Sequence, residues 1–141
     1  MFDYDHELQQ RSFACDNYPV EEKVIVPFHV IKYILRPGGG RSAEPGMTLS
    51  CLVDIYTGDG TQISNCRGGR ITRFLLGRGR LIDGLEVGLK GVKRDEKLRL
   101  LISPDYGYGG DEEVPLVPSE TRLIFEITVM QMERVALERM T

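Results

Sequence analysis

The sequence predicts an α+β domain in which one antiparallel β-sheet curves around a single short α-helix. Segments rich in Val, Ile, Leu, Phe and Tyr, several of them alternating with period two, dominate the patterned part of the chain. Only one stretch inside that part has convincing helical spacing, and it is short. With 141 residues, of which 41% are hydrophobic and 28% charged, the chain is about one domain long and can bury its own core. One sheet folded over one apolar helix satisfies all of these observations.

The first half of the chain reads as strands separated by turns. Val24 to Leu35 is β-type, but Pro27 interrupts it, so this segment lies at a sheet edge or forms two pieces. Turns follow at residues 36–40 and 44–46, where Pro and Gly cluster. Met47 to Tyr56 then alternates and ends before the Asp59-Gly60 turn signal. Its alternation places four residues on one face: Leu49, Cys51, Val53 and Ile55.

The second half supplies the helix and the remaining strands. Thr72 to Leu76 is a short apolar strand, and Leu81, Leu85 and Leu89 recur at helical spacing. Lys97 to Ile102 and Arg122 to Met130 are the last two strands. After the first of these, residues 102–109 pack one proline, two tyrosines and two glycines into a loop suited to the rim of a pocket.

The chain divides into an acidic arm at residues 1–26, a domain at 27–132 and a helical tail or linker at 133–141. Residues 1–22 carry six acids and one arginine, whereas residues 64–80 carry five arginines and no acid. These segments are either two solvated surfaces or a docking pair, in which the arm or an acidic partner meets the arginines.

Composition excludes several classes of function. The amino terminus lacks a basic start and an apolar run, and no segment is long enough to span a membrane. The net charge of −3 offers no general attraction to nucleic acid. Two histidines and three scattered cysteines form no ligand motif, so we expect no metal and no cofactor. Reduced thiols indicate a cytoplasmic setting, with a nuclear one also possible.

Short motifs in a fixed order carry a family resemblance. In chain order they are Arg36-Pro37-Gly38-Gly39-Gly40, Pro45-Gly46, Asp59-Gly60-Thr61, Phe74-Leu75-Leu76-Gly77, residues 81–92, residues 102–109 and residues 117–127. From about Val30 to Met132 the sequence resembles the FKBP-type peptidyl-prolyl isomerase domain. The resemblance implies an FKBP-like antiparallel sheet curved around one short helix. It also implies an apolar, aromatic cup that holds a prolyl ring, with a few hydrogen bonds to the flanking carbonyls.

By this resemblance the substrate-binding positions can be assigned, although no catalytic residue is assigned with them. They are Val53, Ile63, Ser64, Phe74, Leu81, Ile82, Leu85, Tyr108 and Phe125. Several depart from the family pattern: Leu85 stands where most members have the tryptophan floor, and Ile63 and Ser64 replace a phenylalanine and an acid. Counting from Gly46 puts Val53 at the family's tyrosine position. Tyr56, the alternative, falls on the opposite face unless a β-bulge shifts the register.

These departures lead to an expectation about function. We expect a monomeric prolyl-peptide-binding or chaperone module with weak or absent isomerase activity, which binds macrolide inhibitors weakly or not at all. The alternative is an active isomerase with an aliphatic pocket. Three acids at the rim, Asp111, Glu112 and Glu113, either select basic partners or are simply solvated.

Overall fold

Seven strands form one antiparallel sheet in the part of the chain that the computed structural model describes, residues 20–64, 70–107 and 121–134. The strands are β1 (Glu21–Val26), β2 (Val30–Arg36), β3 (Gly39–Ser42), β4 (Met47–Thr57), β5 (Gln62–Ser64), β6 (Thr72–Leu75), β7 (Lys93–Arg94), β8 (Lys97–Ile102) and β9 (Leu123–Arg134). The sheet order is β1-β2-β8-β9-β4-β5, and β6 pairs with the first half of β4. Strands β3 and β7 form a separate two-stranded sheet.

The long strand β4 fixes which side chains face the core. Its burial alternates from Met47 to Val53, as its sequence pattern predicts. It pairs with β9 along its whole length, from Met47 opposite Arg134 to Thr57 opposite Leu123, with one bulge between Ser50 and Cys51. The main core therefore lies on the concave face of the sheet, between β4, β8, β9 and the helix.

The helix α1 (Asp83–Gly88) packs against β8 through glycines. A Cβ placed on Gly84 would lie 2.5 Å from the Ile102 side chain, and one on Gly88 would lie 2.7 Å from that of Leu100, so a larger residue at either position would displace its neighbour. The helix is shorter than its leucine spacing indicates, because Ile82 is an extended N-cap residue. Six residues cannot form a stable helix alone, so this packing holds it in place.

Two apolar clusters lie on opposite faces of the sheet. The larger contains α1 residues and the inward side chains of β2, β4, β6, β8 and β9. The smaller consists of Ile31, Leu101 and Ile124, with Tyr33 and Tyr56 packed against it. Successive residues of β8 and β9 thus serve different clusters.

A buried ion pair joins β2 to the β7–β8 turn. Lys32 Nζ lies 3.0 Å from Glu96 Oε2, and each side chain is only 6% exposed. Glu96 Oε1 also accepts a 3.1 Å bond from the backbone N–H of Lys93. The turn at Gly38 is pressed against this site, because a Cβ there would meet the Arg94 carbonyl at 2.4 Å.

At both ends of the predicted domain the strands extend past the predicted limits. Residues 21–26, assigned to the arm, form β1 and pair with β2, so the domain begins before residue 27. The segment begins with three charged residues, so the sequence carries no strand pattern there. Pairing with β2 stabilises the strand nevertheless. At the other end β9 continues to Arg134 because β4 supplies ladder partners that far. Residues 1–19 and 135–141 lie outside the described residues. Within the described part, no helix has the length and apolar character needed to cross a bilayer.

Candidate functional site

Most of the predicted substrate-binding residues belong to the main core or pack against it, and together with Ile55 we call them the cup. Strands β4, β6 and β9 contribute inward side chains, α1 contributes Leu85, and the segments before α1 and after the Asp-Gly turn complete it. Its described side chains belong to or pack against the main core: Val53, Ile55, Ile63, Phe74, Leu81, Ile82, Leu85 and Phe125. None of these side chains can ionise, so the cup offers shape and a dry surface and no acid or base.

Branched aliphatic side chains supply most of the described wall. Leu85 is 4% exposed and packs in the same cluster as Phe74 and Phe125, which lie deep in the core. The segment before α1 adds Leu81 and Ile82, both half-buried against that cluster. Tyr106, in the turn that follows β8, packs one partly buried ring against the same cluster. Of the eight described cup residues, six are therefore aliphatic and only Phe74 and Phe125 are aromatic.

The structure places Val53 and Tyr56 on opposite faces. Val53 is buried in the main core, whereas Tyr56 packs against the cluster on the other face. Burial, followed by the nearby carboxylates of Glu126 and Asp54, raises the pKa of Tyr56 to about 12. The cup-facing neighbour of Val53 is Ile55, which stands directly opposite Phe125. The alternation of β4 had placed Ile55 on this face, but it was not named as a site residue.

Ile82 occupies the entry to the helix. Its backbone is extended, with φ −60° and ψ 152°, and its carbonyl accepts the N–H groups of Leu85 at 3.0 Å and Glu86 at 3.1 Å. The N–H of an N-cap residue is not used by its own helix. This residue can therefore present a backbone donor beside an aliphatic side chain.

A hydrogen-bonded turn positions Ile63. The Thr57 hydroxyl donates to the Asp59 carboxylate, the Thr61 N–H donates to the same carboxylate at 3.0 Å, and the Thr57 N–H donates to the Thr61 carbonyl at 2.8 Å. The bonds to the Asp59 carboxylate, first of all the one from the Thr57 hydroxyl, lower the pKa of Asp59. Gly60, with φ +91°, allows the tight reversal that brings β5 back alongside β4.

The β1–β2 turn contacts the turn at residues 103–106, and the sequence does not predict this contact. His29 Nδ1 lies 2.8 Å from Ser103 Oγ, and the Ser103 N–H donates to the His29 carbonyl at 2.8 Å. The His29 ring stacks on Tyr106 with a centroid distance of 4.9 Å. The partners are 74 residues apart, so no local pattern indicates the contact.

Four of the predicted site residues lie outside the described part of the chain. Tyr108, Asp111, Glu112 and Glu113 fall in residues 108–120, outside the described residues. Ser64 is described only as the last residue of β5, where it pairs with Ile55.

The described residues contain no candidate metal site, since no three His, Cys, Asp or Glu side chains among them are grouped to hold an ion. Cys51 is a free, fully buried thiol in the core, and this burial raises its pKa to about 12. It is therefore protonated and unreactive at neutral pH.

Comparisons with known proteins agree with this fold. A family model for FKBP-type peptidyl-prolyl cis-trans isomerases matches residues 39–130. FK506-binding protein 1A of Emericella nidulans is 31% identical over 101 residues, which are 69% of this chain and 92% of that protein. FK506-binding protein 59 of Drosophila melanogaster is 33% identical over 106 residues, or 72% of this chain. The match spans only 24% of that relative's own length. The N-terminal domain of FKBP42 from Arabidopsis thaliana superposes with a TM-score of 0.71 at 20% identity, covering 83% of this chain and 95% of that one.

Proposed function

The chain belongs to the FKBP-type peptidyl-prolyl cis-trans isomerase family, and we propose that it binds prolyl peptides while catalysing their isomerisation weakly or not at all. In this role it serves mainly as a protein-interaction or chaperone module. The observation that supports the proposal is the mainly aliphatic composition of the described cup residues, among which Leu85 is buried.

The reaction makes clear what a weak catalyst lacks. Rotation about the peptide bond meets a barrier of ~18–20 kcal/mol, because the planar form is resonance-stabilised. The twisted state is less polar, so an apolar site that excludes water favours it without any nucleophile. Acceleration requires the site to bind the twisted state more tightly than the planar one.

In this cup the side chains that exclude water are smaller than rings. Leu85, Ile63 and Ile55 supply apolar contact but not the large rigid faces that aromatic side chains provide. Each missing ring removes ~1–3 kcal/mol of contact. The planar peptide can still bind, while the difference between its binding and that of the twisted state becomes small.

The alternative function is an active isomerase with an aliphatic pocket. Two features favour it. Ile82 keeps an extended N-cap position whose N–H lies outside the helix ladder. Phe125 remains as an aromatic residue in the core cluster that contains the cup residues. A single experiment separates the two functions.

The test is refolding of a substrate protein that is limited by proline isomerisation, which takes ~10–100 s without a catalyst. At low micromolar concentration we expect this chain to change the slow rate little, while a proline-containing peptide perturbs the amide resonances of Ile82 and Leu85 in an NMR titration. Clear acceleration of refolding would establish the alternative. If neither acceleration nor peptide-dependent shifts occurred, both functions would be excluded.

Partners and setting follow from the same proposal. The partner is a protein or a proline-containing peptide, met in the cytoplasm or nucleus by a monomeric chain. The acidic segment Asp111-Glu112-Glu113 would favour basic residues beside the proline. FK506, which the names of two relatives associate with their binding, is expected to bind this chain weakly.

A further inference from the structure

A groove of about 380 Å³ lies at the end of the sheet where β4 begins and β9 ends. The two-stranded sheet β3–β7 forms one wall, and the paired ends of β4 and β9 form the other. The first wall contributes Gly39, Gly40, Arg41 and Arg94, and the second contributes Met47, Met132 and Arg134. None of these is a cup residue, so the groove is separate from the site proposed for prolyl peptides.

Backbone hydrogen bonds hold the two walls of the groove together. The Asp95 N–H donates to the Val129 carbonyl at 2.8 Å, and the Val129 N–H donates to the Glu96 carbonyl at 2.9 Å. These bonds join the β7–β8 turn to β9. Within the second wall, Met47 stands opposite Arg134 in the β4–β9 ladder. The groove is therefore shaped by the strand pairing of the fold.

The groove carries positive charge that the described residues neutralise only in part. Arg134 Nη2 lies 2.6 Å from Glu44 Oε2. No described carboxylate pairs with the exposed guanidinium of Arg41 or Arg94, and Asp95, which follows Arg94, does not line the groove. Two of the three arginines are thus available to an anionic ligand, and guanidinium groups bind carboxylates in bidentate geometry.

The groove also offers apolar surface and room for a backbone. Met47 is buried and Met132 is half-buried, and methionine side chains adapt to the shape of apolar partners. A Cβ on Gly39 or Gly40 would have no atom within 4 Å. The β3–β7 register shifts at this point, so no β7 residue stands opposite Gly40. Arginines beside methionines fit a peptide that carries both carboxylates and apolar side chains.

The sequence of this chain contains such a peptide near its start. Asp3, Asp5 and Glu7 occupy every second position of residues 2–8, and the positions between and around them hold Phe, Tyr, His and Leu. In an extended backbone this alternation places the acids on one face and the rings and leucine on the other. The two faces match the arginines and the methionines of the groove.

The described chain enters the sheet near the groove. Glu21, the first residue of β1, pairs with Ile34 near the end of β2. Gly39 follows Ile34 by five residues, which span at most ~18 Å, and the paired Cα atoms add ~5 Å. Residues 9–20 cover up to ~40 Å when extended. Residues 2–8 can therefore reach the groove.

We propose that residues 2–8 bind in this groove as an extended segment, with their carboxylates on Arg41 and Arg94 and their rings on the two methionines. The inference does not depend on the proposed function, because no cup residue takes part. It assigns the start of the acidic arm to a surface other than the arginines of residues 64–80. A free anion such as phosphate would use the arginines and leave the methionines uncovered, so a peptide is the better fit.

The first experiment compares two variants of the full chain, each of which loses three acids. The reporters are the amide resonances of Gly39 and Gly40 in a ¹⁵N NMR spectrum. We expect the segment variant to shift both resonances from their wild-type positions and the control to leave them in place. The segment variant is Asp3→Asn/Asp5→Asn/Glu7→Gln, and the matched control, which removes the same charge from the rest of residues 1–22, is Asp16→Asn/Glu21→Gln/Glu22→Gln.

The second experiment supplies the segment as a separate peptide of residues 1–9. A tethered segment competes at an effective concentration on the order of 1 mM, so a peptide with a Kd of ~0.1 mM should bind the wild-type chain roughly tenfold more weakly than the segment variant. Adding Arg41→Gln/Arg94→Gln to the segment variant should abolish peptide binding. Adding Arg70→Gln/Arg73→Gln instead, which removes two exposed arginines of residues 64–80, should leave it unchanged.

Several results would overturn the inference. Unchanged Gly39 and Gly40 resonances in the segment variant would show that residues 2–8 do not occupy the groove. Loss of peptide binding through Arg70→Gln/Arg73→Gln alone would place the segment on residues 64–80. A peptide of the same composition with its three acids grouped together should bind at least tenfold more weakly. Equal binding of that peptide, or equal shifts with inorganic phosphate, would reduce the groove to a general anion surface.

Discussion

Restoring rings to the cup should convert this chain into a tight binder of macrolides. The change is Leu85→Trp combined with Ile63→Phe, which introduces one ring at each of two cup positions. Each ring typically adds ~1–3 kcal/mol of contact in a packed apolar site. Leu85 is only 4% exposed, so a larger side chain there must displace its neighbours. Taking the low end for both rings gives about 2 kcal/mol, or roughly thirtyfold in affinity.

The assay is calorimetric titration of FK506 into the wild-type chain, both single variants and the double variant. Val24→Phe is the matched control, because it adds a ring at an exposed strand position that is not among the cup residues. Thermal unfolding of every variant separates loss of affinity from loss of fold. A folded double variant with unchanged affinity would refute the assignment of Leu85 and Ile63 to the binding surface. Tight binding by the wild-type chain would refute the reasoning that rings are needed.

Two further predictions concern buried ionisable groups. Lys32→Met leaves Glu96 without its buried cation and should lower the free energy of unfolding by about 3–5 kcal/mol in a urea titration. The double variant Lys32→Met/Glu96→Leu should be more stable than that single variant, and equal stabilities would contradict the importance of the pair. The raised pKa of Cys51 means that the folded thiol keeps a proton that the unfolded chain releases above pH 9. The free energy of unfolding should therefore fall between pH 9 and pH 12, by up to about 1.4 kcal/mol per pH unit from this thiol. Cys51→Ala should show a shallower fall in alkaline denaturation, and an identical slope would contradict the assignment.

Local patterns predicted the elements whose determinants are local. The structure gives β8 the predicted limits, Lys97 to Ile102, because the segment is rich in Leu and Ile and is bounded by turn residues. The break at Pro27 is confirmed, since β1 ends at Val26 and β2 begins at Val30. The facing of β4 follows from period-two alternation alone, which is why the sequence could place Val53 on the core-facing side of the sheet.

Features that depend on distant pairing were missed. Residues 21–23 are polar and carry no periodic signal, yet they form part of β1 because β2 offers a ladder. The extension of β9 beyond Met130 depends in the same way on β4. The helix excludes Leu81, because the chain is extended at Ile82, and it ends before Leu89, which is its C-cap residue. The leucine spacing alone reveals neither boundary. The contact between His29 and Ser103 requires the complete fold.

The sheet order has a consequence for the synthesis of this protein. The described strand with the highest residue numbers, β9, lies between β8 and β4 in the interior of the sheet. In a nascent chain that has reached only residue 122, the main sheet is divided into two groups, β1-β2-β8 and β4-β5-β6, with no ladder between them. Such a chain also lacks Phe125. We therefore expect the cup to appear in one late step, after residues 123–134 have left the ribosome. Until then the apolar edges of β4 and β8 are open to chaperones or to other chains.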